Sequence, residues 1–201
     1  MQIANLNINL PQKKEEEFLK IDFTSLFDFD FKEHKTLNFA LDLESIKDDE
    51  VYDSKLFSIA NSFDNSKRVL TISENLEKPL IIVNKLKNSE TLYTNNLLIN
   101  VKEGVKASVI EVFTSNLNNS TILANRTIEV EKNSSLEYVK IQDISISNSL
   151  IFSCKAKQDD KSNLEISNFE FGDGFCVNSF ENKIDSLEVN YELNGLNKLR
   201  D

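Results

Sequence analysis

The chain has 201 residues, 40% of them hydrophobic, which suits one domain, or one with a small appendage, around a packed core. A net charge of −10 and a pI near 4.7 give a surface that repels phosphates, and the densest basic clusters, Gln12-Lys13-Lys14 and Lys198-Leu199-Arg200, sit beside acids, so nucleic acid is not an expected partner. Residues 1–10 lack a signal-peptide pattern, no run of about 18 apolar residues suggests a membrane span, and two cysteines make no disulfide framework, so a cytoplasmic protein with reduced thiols is expected.

The run Lys13-Lys14-Glu15-Glu16-Glu17-Phe18-Leu19 favours a short helix, and Thr24 or Ser25 is placed to cap a further turn. Leu26-Phe27-Asp28-Phe29-Asp30-Phe31 alternates apolar and acidic residues, which predicts a strand with one buried face. The only histidine, His34, lies in a polar stretch between Glu33 and Lys35 and is expected to be solvated. Leu56, Ile59, Ala60 and Phe63 fall at helical spacing and predict an amphipathic helix over residues 54–63.

From about residue 68 short strands alternate with Asn, Ser and Gly, and an internal repeat emerges. Residues 98–112 align with residues 127–141, 29 positions on, so that Ile99 falls opposite Ile128 and Val101 opposite Val130. Gly104 falls opposite Asn133, and these two residue types take a left-handed backbone conformation most easily. In both copies the apolar alternation slips phase at the same place, from Ala107 and Val109 to Ile110 and Val112, and from Leu136 and Tyr138 to Val139 and Ile141. Leu164 and Ile166 give way to Phe169 and Phe171 in the same manner. Such a slip predicts a bend or bulge that carries the inward face round a corner. The stretches Leu164–Gly172 and Leu187–Gly195 also echo each other, at a spacing of 23.

Strand-rich repeats of roughly 20–30 residues point to a solenoid, in which stacked coils bury a core that no coil could bury alone. No leucine-rich consensus is present, so the expected fold is mainly β: a parallel β-helix over residues 66–201, preceded by a small α/β segment over residues 1–65. A β-sandwich fits the strand–turn spacing too, and would put Val101 and Val130 far apart instead of in adjacent layers.

Much of the chemical reading is subtractive. The four glycines, Gly104, Gly172, Gly174 and Gly195, build neither a phosphate loop nor a dinucleotide fingerprint. With no nucleophile elbow and no histidine cluster, no catalytic residue, metal or bound cofactor is assigned and the chain is not expected to be an enzyme. Asp159-Asp160 reads as surface charge, and sequons at Asn118, Asn119, Asn125 and Asn133 read as chance matches in an Asn- and Ser-rich chain. Cys154 and Cys176 lie 22 apart, which on neighbouring coils would stack them. Stacked thiols suit iron or sulfur; the alternative is two small buried hydrophobes.

Several motifs then follow one another in a familiar order: Leu10–Phe18 with Ile21-Asp22-Phe23, Lys55–Phe63, Glu77–Val83, Glu103–Glu111, Asn125, Glu129, Val139–Gln142 and Glu188–Leu196. Together they resemble the SufD branch of the SufB/SufD family of iron–sulfur cluster assembly scaffolds. The resemblance implies a right-handed parallel β-helix that is not itself catalytic and acts with SufB-like and SufC-like subunits. It implies that ATP is bound by the SufC ATPase and that an iron–sulfur cluster is met only in the assembled complex. Gln142 matches a glutamine lining SufB's proposed internal sulfur route. Phe113 stands where SufB relatives carry a cysteine, and Asn96 where they carry an arginine, which favours the SufD side. Family members are much longer, so a fragment or a shortened relative is implied, and a solenoid cut between coils exposes a sheet edge open to self-association. A β-solenoid that binds carbohydrate or protein is the alternative, as is a β-helical polysaccharide lyase or hydrolase.

Overall fold

Parallel strands need a connection that returns the chain to its starting end, and a solenoid provides one by alternating between two facing walls. The structure, a computed structural model, describes residues 1–48 and 53–198; Leu199 and Arg200 of the second basic cluster lie outside the described residues. Its first wall carries β1 (Glu33–Thr36), β2 (Glu44–Lys47), β3 (Ser66–Ile72), β5 (Thr91–Val101), β7 (Thr121–Val130), β9 (Ser149–Gln158) and β11 (Phe175–Ile184). The second carries β4 (Leu80–Lys85), β6 (Lys106–Ser115), β8 (Ser135–Ile144), β10 (Asn163–Glu170) and β12 (Asn190–Asn197). Each odd strand from β3 onward and the even strand after it form one coil, and neighbouring coils pair in parallel. Val101 pairs with Val130 in the next layer, which decides for the β-helix over the sandwich.

Every corner leading from the first wall to the second, from β5 onward, holds one left-handed residue. These are Gly104 (φ 73°), Asn133 (φ 58°), Lys161 (φ 58°) and Glu188 (φ 56°). The amides of the first three bond the carbonyls of Lys132, Asp160 and Leu187 on the next coil, each at 3.0 Å. The predicted equivalence of Gly104 and Asn133 is therefore real, and it extends to two residues whose side chains gave no hint of it.

The predicted bend does not occur. β6 and β8 pair residue for residue from Lys106 opposite Ser135 to Ser115 opposite Ile144, with no extra residue on either strand. Ala107, Val109, Glu111 and Phe113 all face inward and are buried, while Ile110 and Val112 face out. The phase slip thus marks inward slots that turn polar, not a chain that turns. The echo at 23 residues is likewise out of step with the stack, because Leu164 pairs with Tyr191, and Gly195 sits opposite Asn168.

The N-terminal residues cover the outside of the first wall. The helix predicted over residues 13–19 shrinks to one 3-10 turn, Glu16–Phe18. Instead of a strand, residues 26–31 begin in the short helix α1 (Thr24–Phe27), because Leu26 and Phe27 are both buried and adjacent strand residues cannot face the same side. The cap position falls on Phe23 and not on Thr24 or Ser25, without a side-chain cap bond; Asp22 ahead of it accepts the Thr24 amide at 3.0 Å, and that bond, with the Thr24 hydroxyl and Lys13, lowers its pKa to about 2. The predicted second helix is present as α2 (Lys55–Phe63), with Ser54 accepting the Phe57 amide at its start. Leu56, Ile59 and Ala60 of α2 join Ile3, Phe18, Phe23 and Phe31 over Leu92, Leu123, Ile151 and Val177 of the wall. Asn125 pins α2 down, donating to the Phe57 carbonyl at 2.8 Å and to Asn61 Oδ1 at 3.1 Å. Strands β1 and β2 join the same wall, β1 parallel to β5 and β2 antiparallel to β3. His34 is consequently half-buried, with Nε2 3.0 Å from Thr94 Oγ1, and burial lowers its pKa, contrary to the solvated position expected.

A Cβ added at Gly104 or at Gly195 meets no atom within 4 Å, but only Gly104 has a positive φ. Gly104→Ala is therefore expected to cost about 1–2 kcal/mol through backbone strain alone, while Gly195→Ala leaves stability unchanged or slightly higher. Urea midpoints measure both, and equal midpoints would refute the left-handed corner.

Candidate functional site

Much of the interior between the walls is apolar, but its middle slots are not. Register stacks Glu111, Lys140 and Asn168 on the second wall. On the first wall it stacks Leu97, Arg126, Cys154 and Phe180, with Asn95, Ala124, Phe152 and Asn178 in the next inward column. A tube wall facing other side chains offers no water, so each polar group here must find protein partners.

Arg126 is fully buried and meets this demand with residues from its own coil and the one before. Nε donates to Glu111 Oε2 at 2.8 Å and Nη2 to Glu111 Oε1 at 2.5 Å, a two-pronged pair. Nη1 donates to the carbonyls of Asn95 at 2.6 Å and Asn125 at 2.7 Å, and Nη2 also reaches Asn95 Oδ1. Glu111, equally buried, accepts in addition from the Tyr138 hydroxyl and from Asn84 Nδ2. Burial opposes its charge, but Arg126, Tyr138 and Asn84 outweigh burial and its pKa lies below the ordinary carboxylate value. Burial opposes the charge on Arg126 too, and Glu111 more than restores it. Tyr138 is driven well above the usual phenol value, by burial first and by the Glu111 charge second. The rings of Phe39, Phe113 and Phe152 surround the guanidinium at 5.8, 5.5 and 5.9 Å from Cζ.

Phe152 separates this cluster from a second. The Lys140 ammonium lies 5.0 Å from its ring centre and donates to Glu170 Oε1 at 2.5 Å, Asn178 Oδ1 at 2.7 Å and Asn168 Oδ1 at 3.0 Å. Gln142 is buried in the same coil; its Oε1 accepts the Gly172 amide at 2.9 Å, and its Nε2 has no partner. A side chain at Gly172 is excluded, since its Cβ would lie 2.4 Å from the Ile144 backbone.

The two cysteines occupy adjacent coils but do not stack. Cys154 pairs with Phe180 and Cys176 with Leu150, four positions away along the strands, because the coil here is longer than the 22-residue spacing. Cys154 is buried beside the Arg126–Glu111 pair; the Cys176 sulfur lies 4.0 Å from Lys140 Nζ and 3.5 Å from Asn178 Nδ2. Burial pushes both thiols up to about 12. Among the described residues no group of three or more His, Cys, Asp and Glu side chains converges as for a metal ion.

Of the positions singled out in the sequence, Gln142 and Phe113 face the interior and Asn96 faces outward, bonding the Asp64 and Ser66 carbonyls at 2.8 and 3.1 Å. The sequon residue Asn125 is buried under α2. Arg126, Tyr138, Lys140 and Glu170 were not picked out as a group. The signal was the apolar lapse at residues 111, 140 and 168, legible once the coils are set in register.

A family model described as SUF system FeS cluster assembly, SufBD core domain, matches residues 83–201, more than half of the chain. No curated protein and no solved structure gave a match.

Glu111→Leu leaves a buried guanidinium without its counter-charge and is expected to cost about 3–5 kcal/mol; the double variant Glu111→Leu/Arg126→Met recovers most of it. Because folding lowers the Glu111 pKa below its ordinary 4.5, its ionised form stabilises the fold above that pH, and the contribution fades as pH falls below it. The double variant should therefore lose stability less steeply in acid, as read by denaturation at a series of pH values. A thiol moved from 9.0 to about 12 holds about a thousandfold less thiolate at neutral pH. Iodoacetamide at pH 8 should leave both cysteines of the folded protein intact and modify both in denaturant; rapid labelling of either in the native state contradicts the assignment.

Proposed function

The chain belongs to the SufB/SufD family of iron–sulfur cluster assembly proteins, and from that premise we propose that it serves as a SufD-like, non-catalytic subunit. In this reading it is a scaffold that acts with a SufB-like subunit and a SufC-like ATPase in the cytoplasm, with the cluster as cargo of the whole assembly.

The observation that carries the reading is Phe113. Its ring fills the interior beside Arg126 and packs edge-on against Phe152, with centroids 5.9 Å apart. A sulfur-carrying interior needs a thiolate at such a point, since the thiolate and not the thiol is the nucleophile. An aromatic ring supplies packing and no sulfur chemistry. Cys154 and Cys176 support the same reading, because both are held protonated and neither is placed to pass sulfur to the other. Arg126, Glu111 and Lys140 find their charge partners within the tube, as groups that hold a structure together do.

The reading is tested by co-expressing the chain with a SufB-like and a SufC-like subunit. It should co-elute with them, and Cys154→Ala/Cys176→Ala should support cluster assembly as well as the parent does. Failure to associate, or loss of assembly in the cysteine-free variant with its fold intact, counts against it.

A further inference from the structure

The two walls are treated differently on their outer faces. The N-terminal residues and α2 cover the first wall, whereas the outward side chains of the second stack in open columns fixed by register. One column reads Ile81, Ile110, Val139, Ser167 and Asn194; the next reads Val83, Val112, Ile141, Phe169 and Leu196. Ile81, Val83 and Leu196 are 60%, 53% and 53% exposed, and Ile110, Val112, Val139, Ile141 and Phe169 are partly exposed. Eight apolar side chains thus form one continuous stripe across the coils, the kind of surface that marks an interaction site.

The margins of the stripe are unlike each other. On one side the neighbouring column is Ser108, Glu137, Glu165 and Glu192. Among the described residues no cation pairs with any of the three glutamates, and Glu192 accepts only the Asn194 amide at 3.0 Å. Strands lie about 4.8 Å apart, so these like charges repel along the row and a cation laid over them would be attracted. On the other side runs an open groove of about 610 Å³, lined by Val83, Lys85, Thr114, Asp143 and Gly172 among others.

We propose that the outer face of the second wall docks an amphipathic helix of a partner protein that carries lysine or arginine along one edge. The geometry suits a helix lying across the strands. Its pitch of about 5.4 Å nearly equals the strand spacing of about 4.8 Å, so each turn sets one apolar residue over one coil. Five strands span about 19 Å, which is the length of a helix of about 13 residues. A basic residue once per turn on the proper edge meets the glutamate row. A second copy of this chain is a poorer occupant, because it brings the same glutamates and a further net charge of −10. The proposal stands on the strand register and does not depend on the family role.

The test uses the full chain and a labelled synthetic helix of about 14 residues, with leucines on one face and lysines along one edge. A twin peptide carries glutamate in place of lysine. Fluorescence anisotropy should show the lysine peptide binding, with affinity falling at least about tenfold on Glu137→Lys/Glu165→Lys while the glutamate twin gains. Ile141→Ser should weaken both peptides, with circular dichroism confirming an unchanged fold. Equal binding of the two peptides, indifference to these substitutions, or no binding of the lysine peptide overturns the proposal. So does a chain that dimerises in sedimentation, becomes monomeric on Ile141→Ser and is unaffected by the peptide, which would assign the face to a second copy.

Discussion

A guanidinium sealed inside a tube has no recourse to water. Arg126 is held by a carboxylate, a side-chain amide and two backbone carbonyls, all within a few ångströms and drawn from the three consecutive strands β5, β6 and β7. Glu111 reaches in turn to Asn84 one coil below and Tyr138 one coil above, so the pair ties three successive coils to one another. That bond set tolerates only one register. A one-residue slip between coils would turn every inward side chain outward and leave a bare charge in an apolar interior. The ion pair thus specifies alignment in a stack whose mainly apolar inward columns discriminate less sharply between alignments.

The coil repeat was legible because two kinds of position recur with simple rules. Inward aliphatic slots repeat wherever strands stack, and a corner with a left-handed residue favours Gly or Asn. Lys161 shows the limit of the second rule, since the bond from its amide to the Leu187 carbonyl on the next coil holds a residue in a conformation that it does not prefer, and Glu188 adopts the same conformation. The polar interior was misread as a bend because alternation rules equate inward with apolar, and Glu111 and Lys140 break that equation while facing in. Helix α2 announced itself through spacing, but the preceding residues follow the wall they cover and not any period of their own. Leu26 and Phe27 are buried side by side because the wall beneath them is flat and apolar, a demand no local pattern records.

Membership of the SufB/SufD family gives this architecture its context. The interior of the coils holds one ionic cluster around Arg126 and a second around Lys140, with Phe113 and Phe152 packed beside them. Thiols lodged in such surroundings stay protonated. The differing outer faces assign a second division of labour. One wall is spent on the chain's own N-terminal residues, and the other presents apolar side chains beside acids that pair with no cation among the described residues.

One-to-one pairing also governs where the chain can change length. The coil advances 29 residues from Val101 to Val130, 28 from Val130 to Gln158 and 26 from Gln158 to Ile184, yet every strand stays in step. The shortening is absorbed wholly in the corners. Insertions and deletions drifting through such a lineage will therefore collect at the bends, where loop closure is cheap. The straight runs will vary by substitution alone, so aligned relatives should show gaps in a regular beat, one per half-coil, like the joints in a chain of rails.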